Sequence, residues 1–241
     1  MHLLMTRPRA ASERFIAGLP AEVSKQLTPV FSPLIEIRPL DVAPDLSDVR
    51  GLVFASANAV AIAGDLIQTR DLACYCVGAA TTNAARDAGW PATQSGDTAQ
   101  QLISTLTREK PAAPLLHLRG VHARGEIARN LSQAGIPCDE QAIYNQFLRP
   151  LSDAAVQVLA GSEPVIAPLF SPRTARQFAE TAHIRAPLWL TALSPAVAEP
   201  LETLSFQNLL IADRPDSAAM RKIVELSVKR VNRVEGRTDA H

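Results

Sequence analysis

The sequence predicts an α/β protein in which two domains each contain a parallel β-sheet. Short apolar runs of four or five residues alternate with helical patterns of about ten or more residues, which is typical of βαβ units. The chain also repeats itself, since Gly51–Val60 and Ile166–Ala175 both contain an apolar run, a serine and a helix start. The two serines, Ser56 and Ser171, are 115 residues apart, and further pairs recur at similar offsets. One architectural unit is therefore used twice in 241 residues.

Ten apolar runs qualify as strands, which predicts two sheets of five strands each. In chain order the predicted strands are His2–Met5, Leu27–Phe31, Leu52–Ala55, Cys74–Val77, Ala92–Gln94, Leu115–Leu118, Cys138–Ile143, Val165–Phe170, Leu188–Thr191 and Leu209–Ala212. Helical patterns fill the intervals between them. Gly89 and Gly135 each follow such a pattern, at the position where a helix commonly ends in a left-handed residue.

Proline-marked linkers define the predicted domain layout. Pro33–Pro44 and Asn145–Leu151 are extended segments, because a residue that precedes proline is disfavoured in helical conformation. They enclose one complete set of five strands. We therefore expect a discontinuous first domain, residues 1–36 with 152–228, and an inserted second domain, residues 41–144. Residues 37–40 and 145–151 are the linkers, and the polar segment 229–241 is expected to be a flexible tail.

Composition excludes several classes of partner. The 24 Lys and Arg residues balance the 24 Asp and Glu residues, so no net charge attracts the chain to nucleic acid. No apolar run is long enough to cross a membrane, and the start of the chain does not resemble a signal peptide. The three cysteines have neither a disulfide pattern nor a zinc-ligand spacing. We expect a reduced, cytoplasmic protein that binds neither nucleic acid nor membrane.

Helix N-termini at the ends of parallel strands are the predicted binding positions. Ligands of open parallel sheets bind at the carboxyl ends of the strands, where free N–H groups favour anions. The first domain has Xaa-Pro turns there, and the second domain has small residues. With the arginines beside them, these turns would suit a ligand that carries many negative charges, in a cleft between the two domains. The alternative is that each serine is only an N-cap and each arginine only a solvated surface residue.

Tyr144 is the candidate proton donor, because it is one of two tyrosines and lies where the last strand of the second domain enters the returning linker. A phenol is protonated at neutral pH and can donate a proton to a departing oxygen. The alternative is a packing role in the hinge. No dinucleotide, phosphate-loop or hydrolase-nucleophile motif is present. His117 and His122 lack further ligands at metal spacing.

The sequence resembles the uroporphyrinogen-III synthase family over most of residues 1–228. The matching segments are Leu4–Pro8, Pro33–Leu40, Val53–Val60, Val77–Thr81, Leu118–Gly120 with Arg124, Ile143 with Tyr144, and Phe170–Pro172. The resemblance implies two flavodoxin-like lobes on a two-stranded linker, with no metal or organic cofactor. It also implies that the protein is a lyase of heme biosynthesis, which cyclises hydroxymethylbilane to uroporphyrinogen III with loss of water and inversion of ring D.

Site residues carry over from the family position by position. Tyr144 is expected to assist departure of the hydroxyl group. The expected substrate-binding residues are Thr6, Arg7, Ser56, Asn58, Gly78, Thr81, Arg119, Gly120, Arg124, Ser171, Arg173 and Ser194. The segment Ser194–Val197 lacks the threonine that family members usually carry in that turn. We expect a monomer that receives hydroxymethylbilane by transient hand-off from hydroxymethylbilane synthase.

Two other functions stay open at this point. The first is a two-lobed binding or sensory protein that closes on a tetrapyrrole or another polycarboxylate without converting it. The second is a nucleotide-sugar transferase, which would bind UDP-sugars.

Overall fold

The structure is a computed structural model that describes residues 1–122 and 126–238. It has two compact units: one is formed by Met1–Glu36 and the chain from Phe147 onward, and the other by Ile37–Gln146. Both are α/β structures built on sheets of mainly parallel strands, as the sequence predicts.

Within the described residues the chain forms eleven strands, ten α-helices and a short 3-10 helix. The strands are β1 (His2–Met5), β2 (Thr28–Phe31), β3 (Ile35–Pro39), β4 (Gly51–Phe54), β5 (Ala73–Val77), β6 (Ala92–Gly96), β7 (Leu115–Gly120), β8 (Cys138–Leu148), β9 (Val165–Leu169), β10 (Leu188–Ala192) and β11 (Asn208–Ile211). The α-helices are α1 (Arg9–Ala17), α2 (Ala21–Ser24), α3 (Ala57–Leu66), α4 (Gly78–Asp87), α5 (Ala99–Glu109), α6 (Ile127–Gln133), α7 (Asp153–Ala160), α8 (Pro172–Thr181), α9 (Pro195–Ala198) and α10 (Ser217–Thr238).

The first unit contains a five-stranded sheet in the order β11-β10-β9-β1-β2, and each neighbouring pair is parallel. Its three central strands, β1, β9 and β10, are buried on both faces. In β1, Leu4 packs in one core cluster while Leu3 and Met5 pack in the other. Burial on both faces explains why these strands read as continuous apolar runs rather than as alternating patterns.

The second unit contains a six-stranded sheet in the order β3-β8-β7-β4-β5-β6. The five strands from β8 to β6 are parallel to their neighbours, so their carboxyl ends lie along one edge. Leu116 and Leu115 pack in separate core clusters on opposite faces of β7. The predicted helix ends are confirmed at Gly89 and Gly135, whose φ angles of +93° and +84° only glycine adopts easily.

The predicted count of ten strands is wrong by one, because β3 is a strand. The backbone N–H of Leu40 donates to Ile143 O at 2.9 Å, and that of Arg149 donates to Leu34 O at 3.0 Å. The order of these bonds makes β3 antiparallel to β8. Residues 37–39 and 145–148, assigned from the sequence to linkers, thus lie in strands, and the boundary between the units falls within both.

The prediction of a flexible tail over residues 229–241 is wrong for residues 229–238, since α10 continues to Thr238, and residues 239–241 are outside the described residues. Val224, Val228 and Val231 are each at most 1% exposed and pack in one cluster of the first unit. Their spacing of four and three residues places them on one face of a helix, so the helix continues past Lys229 to bury that face.

Candidate active site

Each sheet gathers its predicted binding residues at the edge formed by the carboxyl ends of its strands. In the first unit, Thr6, Ser171 and Ser194 follow the neighbouring strands β1, β9 and β10. In the second unit, Ser56 and Gly78 follow the neighbouring strands β4 and β5. The grouping results from parallel topology, which brings the end of every strand to the same edge.

Two of the predicted serines are N-caps. Ser56 Oγ accepts a hydrogen bond from the backbone N–H of Asn58 at 3.2 Å. Ser171 Oγ accepts one from the backbone N–H of Thr174 at 3.2 Å and lies 2.8 Å from the hydroxyl of that residue. Both oxygens therefore already fix a helix start. Ser194 makes no such bond, and its helix α9 has only four residues.

Thr6 and Arg7 lie at the end of β1 in different environments. Thr6 is 1% exposed, and its hydroxyl has no hydrogen-bond partner within the described part of the chain. The Arg7 guanidinium lies over the Phe170 ring, 4.2 Å from its centroid. Burial lowers the pKa of Arg7, and the charge of Arg14 adds to the effect. Arg173 is the second residue of α8, in its first turn.

The start of α4 has no side-chain cap, in contrast to α3 and α8. Its N-cap residue is Val77, which offers no acceptor, so no side chain caps the first-turn N–H groups. Gly78 has a φ angle of +74°, and a Cβ atom built there would meet nothing within 4 Å. Thr81, also in this turn, is only 5% exposed. An uncapped helix start with open space beside it suits an anion better than a capped one.

Arg119 is held by protein groups. Its Nη2 donates to Glu140 Oε1 at 2.6 Å, and its Nη1 donates to the carbonyl oxygens of Gly120 at 3.0 Å and Val121 at 3.4 Å. Hydrogen bonding from Arg119 lowers the pKa of the Glu140 carboxyl. Glu140 is not among the residues that the sequence predicts for the site, because the pattern of a single strand does not reveal a partner on the neighbouring strand.

Tyr144 is reoriented by an irregularity between β7 and β8. Arg119 pairs with Ala142, but the next residue, Gly120, pairs with Tyr144, so Ile143 is an extra residue in β8. The extra residue shifts Tyr144 to the face opposite to that of Glu140, so that Ile143 and Tyr144 share one core cluster. Such bulges occur next to active sites, where they redirect a side chain.

The Tyr144 ring packs against the backbone of Gly120. A Cβ atom on Gly120 would lie 2.6 Å from two ring carbons and 3.0 Å from the phenol oxygen. Tyr144 is 4% exposed, and its carbonyl oxygen accepts from the N–H of Val121 at 2.9 Å. The structure therefore brings Arg119, Gly120 and Tyr144 together where β7 ends beside β8. Arg124, predicted to lie nearby, is outside the described residues.

His117 is buried in β7 with 1% exposure, and neither of its nitrogens has a partner among the described residues. Burial lowers its pKa to about 4, although the charge of Glu140 acts in the opposite direction. The neutral imidazole is therefore the form present at physiological pH. Burial also raises the pKa of Cys74 and Cys138 to about 12, so these thiols are poor nucleophiles.

Across residues 1–122 and 126–238, no group of three or more His, Cys, Asp or Glu side chains is arranged to hold a metal ion. In the same residues, no helix combines the length and apolar character needed to cross a membrane.

Comparison with protein families gives a match to the model of uroporphyrinogen-III synthase HemD over residues 22–222. The chain belongs to the uroporphyrinogen-III synthase family. Membership of this family confirms the predicted function, which is uroporphyrinogen-III synthesis in tetrapyrrole biosynthesis. The alternative, a binding protein without activity, is not favoured. Membership of the family implies a small-molecule tetrapyrrole substrate.

Solved structures of the family have the same fold. The uroporphyrinogen-III synthetase of Helicobacter pylori 26695 aligns with a TM-score of 0.66 at 16% identity, over 94% of this chain and 99% of that one. A mutant uroporphyrinogen III synthase of the extremely thermophilic bacterium Thermus thermophilus aligns with a TM-score of 0.51 at 13% identity, over 97% and 99% of the two chains. No curated protein sequence is similar enough to count as a match.

Proposed function

We propose that this chain is a lyase that converts hydroxymethylbilane to uroporphyrinogen III, with Tyr144 as the proton donor. The proposal rests chiefly on the contact between Tyr144 and Gly120. That contact holds one of the two tyrosines of the chain at the carboxyl edge of the second sheet. A fixed phenol at that edge suits proton transfer to a bound substrate, because general acids act at hydrogen-bond distance.

The first step is the loss of the terminal hydroxyl group. The C–O bond of the hydroxymethyl group breaks, the phenol of Tyr144 gives its proton to the departing oxygen, and water leaves. The terminal pyrrole keeps its N–H and becomes an electrophilic azafulvenium cation, whose charge the Tyr144 phenolate balances. Tyr144 is the proposed donor because its contact with Gly120 fixes the phenol at the carboxyl edge of the sheet, whereas Cys74 lies within β5 and Cys138 at the start of β8.

Ring closure with inversion follows. The exocyclic carbon of this cation bonds to the substituted carbon of the far pyrrole, giving a spiro intermediate, which fragments and recloses with that ring reversed. The proton lost when the pyrrole regains aromaticity restores the phenol. The protein's contribution is to hold the linear substrate in one reactive conformation, since closure in solution takes place at the unsubstituted carbon.

Substrate carboxylates are bound, in this proposal, at the carboxyl edges of the two sheets. The start of α4 at Gly78 is the best supported position, because no side chain caps it and a Cβ atom on Gly78 would meet nothing within 4 Å. Ser56 and Ser171 would act mainly by fixing their helix starts, so that backbone N–H groups meet the carboxylates. The remaining proposed binding residues are Thr6, Arg7, Asn58, Thr81, Gly120, Arg124, Arg173 and Ser194.

We further propose that the protein is a cytoplasmic monomer that receives its substrate by transient hand-off from hydroxymethylbilane synthase. Three free, buried cysteines support a reducing compartment. Light scattering tests whether the protein is a monomer. The hand-off is tested by coupling hydroxymethylbilane synthase to this protein in the presence of excess inactive protein, because inactive protein that traps hydroxymethylbilane would slow the coupled reaction.

Turnover distinguishes this proposal from a binding protein. Hydroxymethylbilane generated in the assay is supplied in excess over the chain, and the III isomer is counted per chain. Many III-isomer molecules per chain support the enzyme, whereas at most one supports a binding protein that releases nothing.

A further inference from the structure

The turn after β7 is held by a side chain from its own strand. Arg119 Nη1 donates to the carbonyl oxygens of Gly120 and Val121, so the guanidinium folds back over the turn that follows it. The other end of the guanidinium is fixed by Glu140, at 2.6 Å. Arg119 Nε is shielded from solvent and has no partner in the described part of the chain. One arginine therefore links β8 to the turn.

The same turn supports Tyr144. Gly120 lies under the phenol ring, and the N–H of Val121 donates to the carbonyl oxygen of Tyr144 at 2.9 Å. A displacement of the Gly120–Val121 turn would thus move both the ring and the backbone of Tyr144. The Glu140 side chain lies on the opposite face of β8 from the ring, and its hydrogen bond to Arg119 connects it to the turn that contacts Tyr144.

The ion pair is too exposed to contribute much stability. The Arg119 and Glu140 side chains are 25% and 38% exposed, and ion pairs that water reaches in this way contribute little to the free energy of unfolding. The pair matters more for the orientation of the guanidinium than for the stability of the fold. Three hydrogen bonds fix the guanidinium in one orientation, which a lysine with a single ammonium group could not reproduce.

We propose that Arg119 and Glu140 are positioning residues, which hold the Gly120–Val121 turn and thereby set the phenol of Tyr144 for proton transfer. The inference rests on the proposed function of Tyr144 and assigns Glu140, which the family resemblance does not include, a role in it. It also gives Arg119 a different task from binding a substrate carboxylate.

The kinetic test compares Glu140→Gln with Asp139→Asn. Asp139 is the adjacent exposed residue of β8, so its variant makes the same charge change without breaking the ion pair. We expect Glu140→Gln to lower kcat about tenfold or more while KM changes less than about twofold, since small displacements of a reacting group reduce turnover strongly. Asp139→Asn should change neither constant. A rise in KM at unchanged kcat would overturn the proposal, because it would mean that the pair serves substrate binding.

A double variant tests whether Glu140 acts through Tyr144. In the Tyr144→Phe background, Glu140→Gln should cause no further loss of kcat, because the group it positions is gone. Multiplicative losses would overturn the proposal. Arg119→Lys should lower kcat as Glu140→Gln does. A change in KM alone would contradict the proposed positioning role.

Tyrosine labelling provides a readout that does not depend on activity. The chain has two tyrosines, so ring-labelled protein gives two sets of NMR signals, and Tyr75→Phe assigns that of Tyr144. We expect Glu140→Gln to move the Tyr144 signals and Asp139→Asn to leave them in place. Unmoved signals in Glu140→Gln overturn the positioning role. If the unaltered chain makes no III isomer while the signals do move, the proposed function fails and the structural link stands.

Discussion

The aromatic ring of Tyr144 occupies the space that a side chain at position 120 would need. A Cβ atom on Gly120 would lie 2.6 Å from Cε2 and Cζ of the ring, well inside van der Waals contact. Because both residues are paired across β7 and β8, their backbones cannot move apart without breaking the sheet. Position 120 must therefore lack a side chain as long as Tyr144 keeps this orientation.

Gly120→Ala is expected to destabilise the second unit by about 1–3 kcal/mol, because the ring must shift to admit the methyl group. The cost should largely disappear in a Tyr144→Leu background, where the ring is absent. Urea unfolding of the four proteins measures the difference. Gly64→Ala is the control, since a Cβ atom there meets nothing within 4 Å, and it should be neutral or stabilising. An equal cost of Gly120→Ala in both backgrounds would refute the contact.

Tyr144→Phe keeps the ring on Gly120 and removes only the hydroxyl group. If the phenol is a general acid, kcat should fall about 10²- to 10⁴-fold, whereas the affinity for uroporphyrinogen III should change less than about twofold. Stopped assays give kcat, and fluorescence titration gives the affinity. Tyr75→Phe, which alters the other tyrosine, should have normal turnover. Equal losses of turnover and affinity would assign Tyr144 a packing role only.

The buried imidazole of His117 predicts an acid-sensitive fold. Its pKa is about 4 in the folded protein, against an ordinary value of 6.5, so the unfolded state binds the proton more readily. Stability from this group is complete above about pH 6.5 and is lost as the pH falls towards 4, by on the order of 3 kcal/mol in total. Glu140 and Arg119 face the imidazole with opposite effects on its pKa.

Unfolding free energies at pH 7.5, 5.5 and 4.5 check this expectation. His117→Gln should have a shallower decline over that range than the unaltered protein, and His183→Gln, which changes an exposed histidine, should not. Identical declines in all three proteins would mean that His117 is not the group responsible.

Arg70 joins the ends of two helices in the second unit. Its guanidinium donates to the carbonyl oxygens of Gly64 and Ile67 in and after α3 and of Ala88 after α4, and it stacks 4.4 Å from the centroid of the Trp90 ring. Arg70→Met should therefore lower the stability by about 2 kcal/mol through the unsatisfied carbonyls. Arg70→Lys should recover little of it, since the planar fork is lost. Thermal unfolding measures both, and a full recovery by lysine would show that only charge matters.

Local patterns in the sequence account for much of the architecture. Buried parallel strands produce apolar runs, so the strand ends next to Ser56 and Ser171 could be located from the sequence. Both serines cap helices, which is the alternative that the sequence left open beside ligand binding. The sequence does not distinguish β3 from a linker, because an edge strand that contains Pro39 has the composition of an extended linker. The end of α10 was missed because its buried valines lie among charged residues.

The environment of Tyr144 could not be predicted from sequence, for a physical reason. In a regular strand, alternate residues lie on the same face. Tyr144 would then lie on the same face of β8 as Glu140, which is four residues earlier in the chain. The extra residue Ile143 reverses the face, and it becomes visible only when β8 is paired with β7. The link from Glu140 to Arg119 depends on the same pairing. Contacts between strands that are distant in sequence leave no periodic signal.

The identity of the product isomer tests the central claim most directly. Hydroxymethylbilane is supplied with and without the chain, and the products are oxidised and separated as the I and III isomers. We expect the III isomer to predominate with the unaltered chain and the I isomer to predominate with Tyr144→Phe. If the unaltered chain yields only the I isomer, at the rate seen without protein, the assignment of synthase activity is contradicted.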